Sequence, residues 1–225
     1  MELPYSAEVY FALLAEYNRA SFPAAVLGPA LGLAVLAWIW TGSPPGRARR
    51  AAGGIAALLA AAWAWVGWAH QLRYLAELVF LAPSYGATWL AQAALFALLA
   101  ARPGTLAFGF RGDLRGLAGL TVALLGLVGY PLALLSLGQD WRALPLVGAA
   151  PNPTALFTVG LLLAMRERPP RILFVIPLAW AVVAATSAYL LRFPLDYAVG
   201  AAIAAATLIG TVRPGRTPAA SDARR

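Results

Sequence analysis

A chain of 225 residues with 61% hydrophobic and 12% charged residues and a mean hydropathy of +0.73 carries about half the charged share of a soluble domain, and reads as an integral membrane protein. Its net charge of +8 rests on 17 arginines and no lysine, spread thinly between apolar runs, which marks topology and implies no nucleic-acid partner. The absence of cysteine excludes disulfides, thiolate metal ligands and thiol nucleophiles together.

The chain opens Met1-Glu2-Leu3-Pro4, without the basic region of a cleavable signal peptide, so the first span is expected to stay as an anchor. Over residues 5–18, Tyr5, Val9, Leu13 and Tyr17 recur at helical spacing with Glu8 and Glu16 elsewhere. This predicts a short amphipathic helix on the membrane surface, capped by Ser6. Asn18, Arg19 and Pro23 separate it from a first apolar run over 22–41. The polar turn Gly42 to Arg50 follows, then runs at about 51–70, 78–101, 116–137, 144–165, 172–191 and 195–212, with Pro83 near the start of the third and Pro131 inside the fourth. The expected fold is all-α, a polytopic membrane helix bundle of seven transmembrane spans forming a single domain over 1–212, with a basic tail at 213–225.

Arginine placement orients this arrangement. Taking the N-terminal segment, the six connections and the tail in order, the arginines number 1, 3, 1, 3, 1, 3, 1 and 4. By the positive-inside rule the N-terminus lies outside and the C-terminus in the cytoplasm. The absence of lysine with heavy alanine, glycine and proline use resembles a GC-rich bacterial genome, so the expected location is a bacterial inner membrane, with a lipid bilayer as the standing partner and an oligomer compatible with it.

The fifth run is interrupted. From Pro153 to Met165 a helix rises only about 20 Å, against a hydrocarbon core of about 30 Å. The residues before it contain Pro145, Gly148 and Pro151, so non-helical backbone is expected at membrane depth, where it survives only inside protein or beside a wet cavity. Asn152 is expected to cap a helix that begins at Pro153, turning its positive end and free N–H groups toward an anionic group in that cavity. Thr154 and Thr158 lie one turn apart on the same face, where their hydroxyls either line the path or bond a helix carbonyl or a neighbouring helix.

The same topology gathers polar residues at the outer face: His70, Tyr74, Glu77, Asp140, Arg142, Asn152, Arg192 and Asp196. His70, Tyr74 and Glu77 share a face if the second helix continues, which allows a proton-handling pair or plain interfacial anchoring. One histidine with one carboxylate is no metal site. Gln92, deeper in the third run, is expected to bond another helix, and Asp196 to stabilise the first turn of the seventh. Trp38, Trp40 and Trp68 fit an aromatic belt, and Trp63 and Trp65 fit packing. No phosphate-binding loop, dinucleotide fingerprint, nucleophile elbow or His-Glu-x-x-His occurs.

The run Trp65 to His70, Gln92-Ala93 with Leu95-Phe96, the Tyr130-Pro131 pair and above all Pro151-Asn152-Pro153-Thr154, Phe157-Thr158 and Gly160 resemble a bacterial membrane family, the proteins grouped as domain of unknown function 6064, some loosely called permeases. Its members often carry Pro-Cys-Pro-Thr where Asn152 stands here, and Tyr before the histidine where this chain has Ala69. The resemblance implies an uncharacterised membrane protein, to which the permease label adds only a little weight. The candidate ligand-binding residues are thus Asn152, Thr154, Thr158, His70, Glu77, Tyr130 and Gln92, with no cofactor assigned. The expected function is binding or transport of a small solute through an outward-facing site at the broken fifth span. The alternatives are an intramembrane enzyme or redox accessory using His70 and Glu77, and a structural subunit of a membrane complex.

Overall fold

The computed structural model describes residues 6–41, 45–102, 106–110 and 112–212; the tail 213–225 and Tyr5 lie outside them. Every regular element among the described residues is helical. A short helix α1 (Ala7–Ala20) precedes α2 (Ala24–Thr41), with a bend of 82° between them. Next come α3 (Pro45–Trp65), α4 (Ala82–Ala100), α5 (Leu114–Leu124), α6 (Tyr130–Ser136), α7 (Pro151–Ala164), α8 (Val175–Leu190) and α9 (Leu195–Thr211). Each apolar run read from the sequence lies over one of these helices or, for the fourth, over α5 and α6 together. Boundaries shift by several residues: α4 begins at Ala82, and α3 begins at Pro45, within the expected polar turn, because proline at the start of a helix gives up no hydrogen bond.

Two π-helical stretches interrupt the regular ladder. Val66–Tyr74 continues α3, followed by a single 3-10 turn at Leu75–Glu77, and Leu125–Gly129 joins α5 to α6. The second has a local cause in Pro131, whose ring cannot accept a regular i−4 neighbour and whose missing N–H leaves a gap in the ladder. Ala51–Glu77, Leu114–Ser136 and Arg171–Leu190 are each long and apolar enough to cross a membrane, whereas Pro151–Ala164 and Leu195–Thr211 are shorter apolar helices.

Close glycine contacts set the packing register. Gly67 faces Gly86 and Gly53 faces the Ala100 carbonyl, so α3 and α4 are antiparallel. On α5, a Cβ at Gly119 would lie 2.7 Å from the Gly160 carbonyl of α7, and one at Gly126 the same distance from the Pro153 carbonyl, which makes that pair antiparallel and nearly backbone to backbone. Gly200 against Ala181 and Gly210 against Phe174 do the same for α8 and α9. The centre is α7: of its 14 residues all but Asn152 are buried, the pattern of a helix enclosed by others on every side.

The stretch before α7 is irregular, as expected, and most of it is buried. Its polar backbone is satisfied by side chains from elsewhere. Tyr17 donates its hydroxyl to the Ala149 carbonyl at 2.9 Å, and the Asn18 amide donates to the carbonyls of Arg142 and Leu144 at 2.9 and 2.8 Å. Thr154 accepts from the Gly148 N–H at 2.8 Å, at a residue whose φ of +80° only glycine adopts without strain. Gly28 of α2 leaves room for this backbone, since a Cβ there would strike the Val147 carbonyl. Helix α1 is therefore fastened over the broken segment, and it buries Phe11, Leu14 and Tyr17. The expected face fails at Val9, which is exposed; the Ser6 cap is present.

Candidate functional site

The start of α7 differs from expectation. The cap position is Ala150, extended and without a side-chain hydrogen bond, and the helix begins at Pro151. Asn152 is turned away from its own backbone because two tertiary partners hold it: its Oδ1 accepts from Trp180 Nε1 at 2.9 Å, and its Nδ2 donates to the Tyr130 hydroxyl at 3.3 Å. Tyr130 in turn donates to Asp196 Oδ1 at 2.6 Å. The result is a relay from α8 through α7 and α6 to α9, in which every hydrogen points toward the Asp196 carboxylate. Asp196 stands in the first turn of α9, as expected from sequence, and this tertiary role adds to the local one.

A cavity of about 190 Å³ opens beside this relay, several times the space one water occupies. Asn152, Trp180 and Asp196 line it together with His70, Tyr10 and Tyr85. His70 is 3% exposed, and its Nδ1 is buried without a hydrogen-bond partner. The Tyr85 and Trp180 rings stand perpendicular with centroids 5.8 Å apart, and Trp180 also meets Trp89 edge-on at 5.3 Å. Among the described residues no arginine lines the cavity.

Of the residues singled out from sequence, the structure thus brings Asn152 and His70 to one cavity and ties Tyr130 to its wall. The others lie elsewhere. Thr158 accepts from Trp63 Nε1 at 2.9 Å and donates to the Thr154 carbonyl, while Thr154 donates to the Ala150 carbonyl at 2.6 Å. Both hydroxyls are committed to helix carbonyls and neighbouring groups; Thr154 borders a separate, largely apolar groove between α2, α3 and α7. Gln92 donates to the Leu173 carbonyl at 3.2 Å just before α8, the interhelical bond expected of it. Glu77 is exposed on the 3-10 turn and forms no hydrogen bond with His70. The π-helical widening over Val66–Tyr74 breaks the spacing that would have aligned the two. Among the described residues no three His, Asp or Glu side chains gather into a metal cluster.

Sequence reading missed Tyr10, Tyr85 and Trp180 as cavity residues. Trp180 carried a usable signal, since it sits within the sixth apolar run rather than at an end where a belt tryptophan belongs.

Fold and site together define an all-helical protein with helices long and apolar enough to cross a membrane and a cavity whose mostly apolar wall carries Asn152, His70 and Asp196. The chain belongs to the family of unknown function DUF6064, whose model matches residues 7–217 and so covers every residue of the cavity. No curated protein and no solved structure matches it.

Proposed function

We propose that this is a seven-span bacterial inner-membrane protein that binds or passes a small solute through an outward-facing cavity at the broken fifth span. The observation that carries the reading is the cavity itself, reached by both Asn152 and His70. Further support comes from the antiparallel register of α3 with α4, α5 with α7 and α8 with α9. Apolar side chains exposed around the bundle, Leu31, Leu98, Leu132, Val182 and Leu208 among them, form a surface suited to lipid. In an alternating topology Asn152, Leu190 and Asp196 of the cavity lie at helix ends on the arginine-poor side, which the positive-inside rule makes external. The enzyme reading loses its pair, because Glu77 does not reach the cavity that His70 lines.

The test exploits the lack of native cysteine. Ser187 lines the cavity, and Ser187→Cys is expected to react with membrane-impermeant methanethiosulfonate reagents applied to intact cells. Reaction only after the membrane is permeabilised would overturn the outward-facing site.

A further inference from the structure

We infer that the cavity selects a small organic cation bearing an ammonium group, an inference that rests on the solute-binding reading above and narrows it to one ligand class. The start of α7 is poorly equipped for an anion. Pro151 and Pro153 have no N–H, and the Thr154 N–H is taken by the Ala150 carbonyl, so few of the donors that normally make a helix N-terminus an anion site remain. The relay spends its hydrogens inward as well: Trp180 donates to Asn152, Asn152 to Tyr130 and Tyr130 to Asp196. It ends on the Asp196 carboxylate, which accepts from Tyr130 and has the Asn152 amide as a second hydrogen-bonding neighbour, with no arginine among the described groups that act on it. In a chain of net charge +8, the described residues of the cavity therefore present an acid and no arginine.

The walls agree with the charge. Tyr10, Tyr85 and Trp180 line the space, and the Tyr85 and Trp180 rings meet edge to face. A cation beside aromatic faces is attracted by their quadrupoles, most strongly where water is excluded, and methylated ammonium groups are the ligands such cages recognise. About 190 Å³ is too roomy for one bare ion and accommodates a methylated ammonium with a short tail. His70, buried with Nδ1 unpaired, supplies a further polar group for that tail.

The full-length protein purified in detergent is titrated with choline and with its uncharged isostere 3,3-dimethyl-1-butanol, with binding followed by tryptophan fluorescence and calorimetry. Choline is expected to bind at least tenfold more tightly than the isostere. Asp196→Asn still accepts the Tyr130 hydrogen bond, so the fold is retained; it is expected to remove that preference while leaving the isostere unchanged. Tyr85→Leu is expected to weaken choline several-fold through loss of one aromatic wall. Equal affinity for the two probes, no binding of either, or an unchanged choline affinity in Asp196→Asn overturns the cation assignment. If Ser187→Cys still reacts from outside, those results leave the solute cavity standing. If it does not, the underlying reading fails first.

Discussion

Thr158 is held from both sides, donating to the carbonyl one turn back and accepting from Trp63 in a fully buried position. Thr158→Val keeps the shape and strands the indole N–H, so an expected loss of about 1–3 kcal/mol should appear in thermal or chemical unfolding in detergent, with Thr158→Ser close to wild type. Asn152→Ala is expected to cost a similar amount, about 1–3 kcal/mol, by stranding Trp180 rather than by uncapping α7. A double-mutant cycle separates the two causes. With Trp180→Phe in the background, the Asn152→Ala penalty should shrink, whereas a cap contribution would persist in full. The Asn152-Pro153 pair was legible as unusual in the sequence, but its role was not. Capping preference is a local rule, and here two tertiary partners separated from Asn152 by 22 and 28 residues take the side chain first.

At the scale of elements, α7 depends on the absence of side chains at its neighbours. Gly119 and Gly160 let two backbones approach so closely that a methyl on either meets main-chain atoms, which cannot move aside as the end of a flexible side chain would. Gly160→Ala is expected to cost about 1–3 kcal/mol through overpacking. Gly54→Ala in α3, where a Cβ would meet nothing within 4 Å, is expected to be neutral or stabilising by about 0.4–1 kcal/mol. Melting curves of the two variants check this contrast. The helices themselves could be read from apolar runs because burial and length leave few alternatives. The π-helical stretches could not be read equally well. Pro131 announces the second, but Val66–Tyr74 contains no proline, so nothing local warned that His70 and Glu77 would part company.

For the whole molecule, orientation is the quantity the arginines encode. Under the proposed topology, Ser6→Cys is expected to label on intact cells with an impermeant thiol reagent, while Glu167→Cys, exposed between α7 and α8, labels only after permeabilisation. The reverse pattern would turn the cavity to the cytoplasm. Apolar periodicity located the helices, and the interruption before α7 was visible in its prolines and glycine. The cavity was harder to foresee because its walls come from α1, the π-helical stretch after α3, α4, α7, α8 and α9, and assembling them requires the packing register that glycines set in three dimensions.

The fastening of α1 to the broken segment also bears on how the chain is built. The carbonyls of Arg142, Leu144 and Ala149 receive hydrogen bonds from Tyr17 and Asn18, made roughly 125 to 130 residues earlier in synthesis. Until the two regions meet, that backbone has no protein donor from α1, and unsatisfied polar groups are costly in an apolar setting. The N-terminal helix therefore acts as a template waiting for the middle of the chain. Under the proposed membrane topology its removal leaves every long apolar run intact for insertion but takes three donors from the assembled centre, so a chain starting after residue 20 is expected to reach the membrane and then be lost to proteolysis. Supplying residues 1–20 as a separate peptide during synthesis should rescue it, if docking rather than insertion is the step that fails.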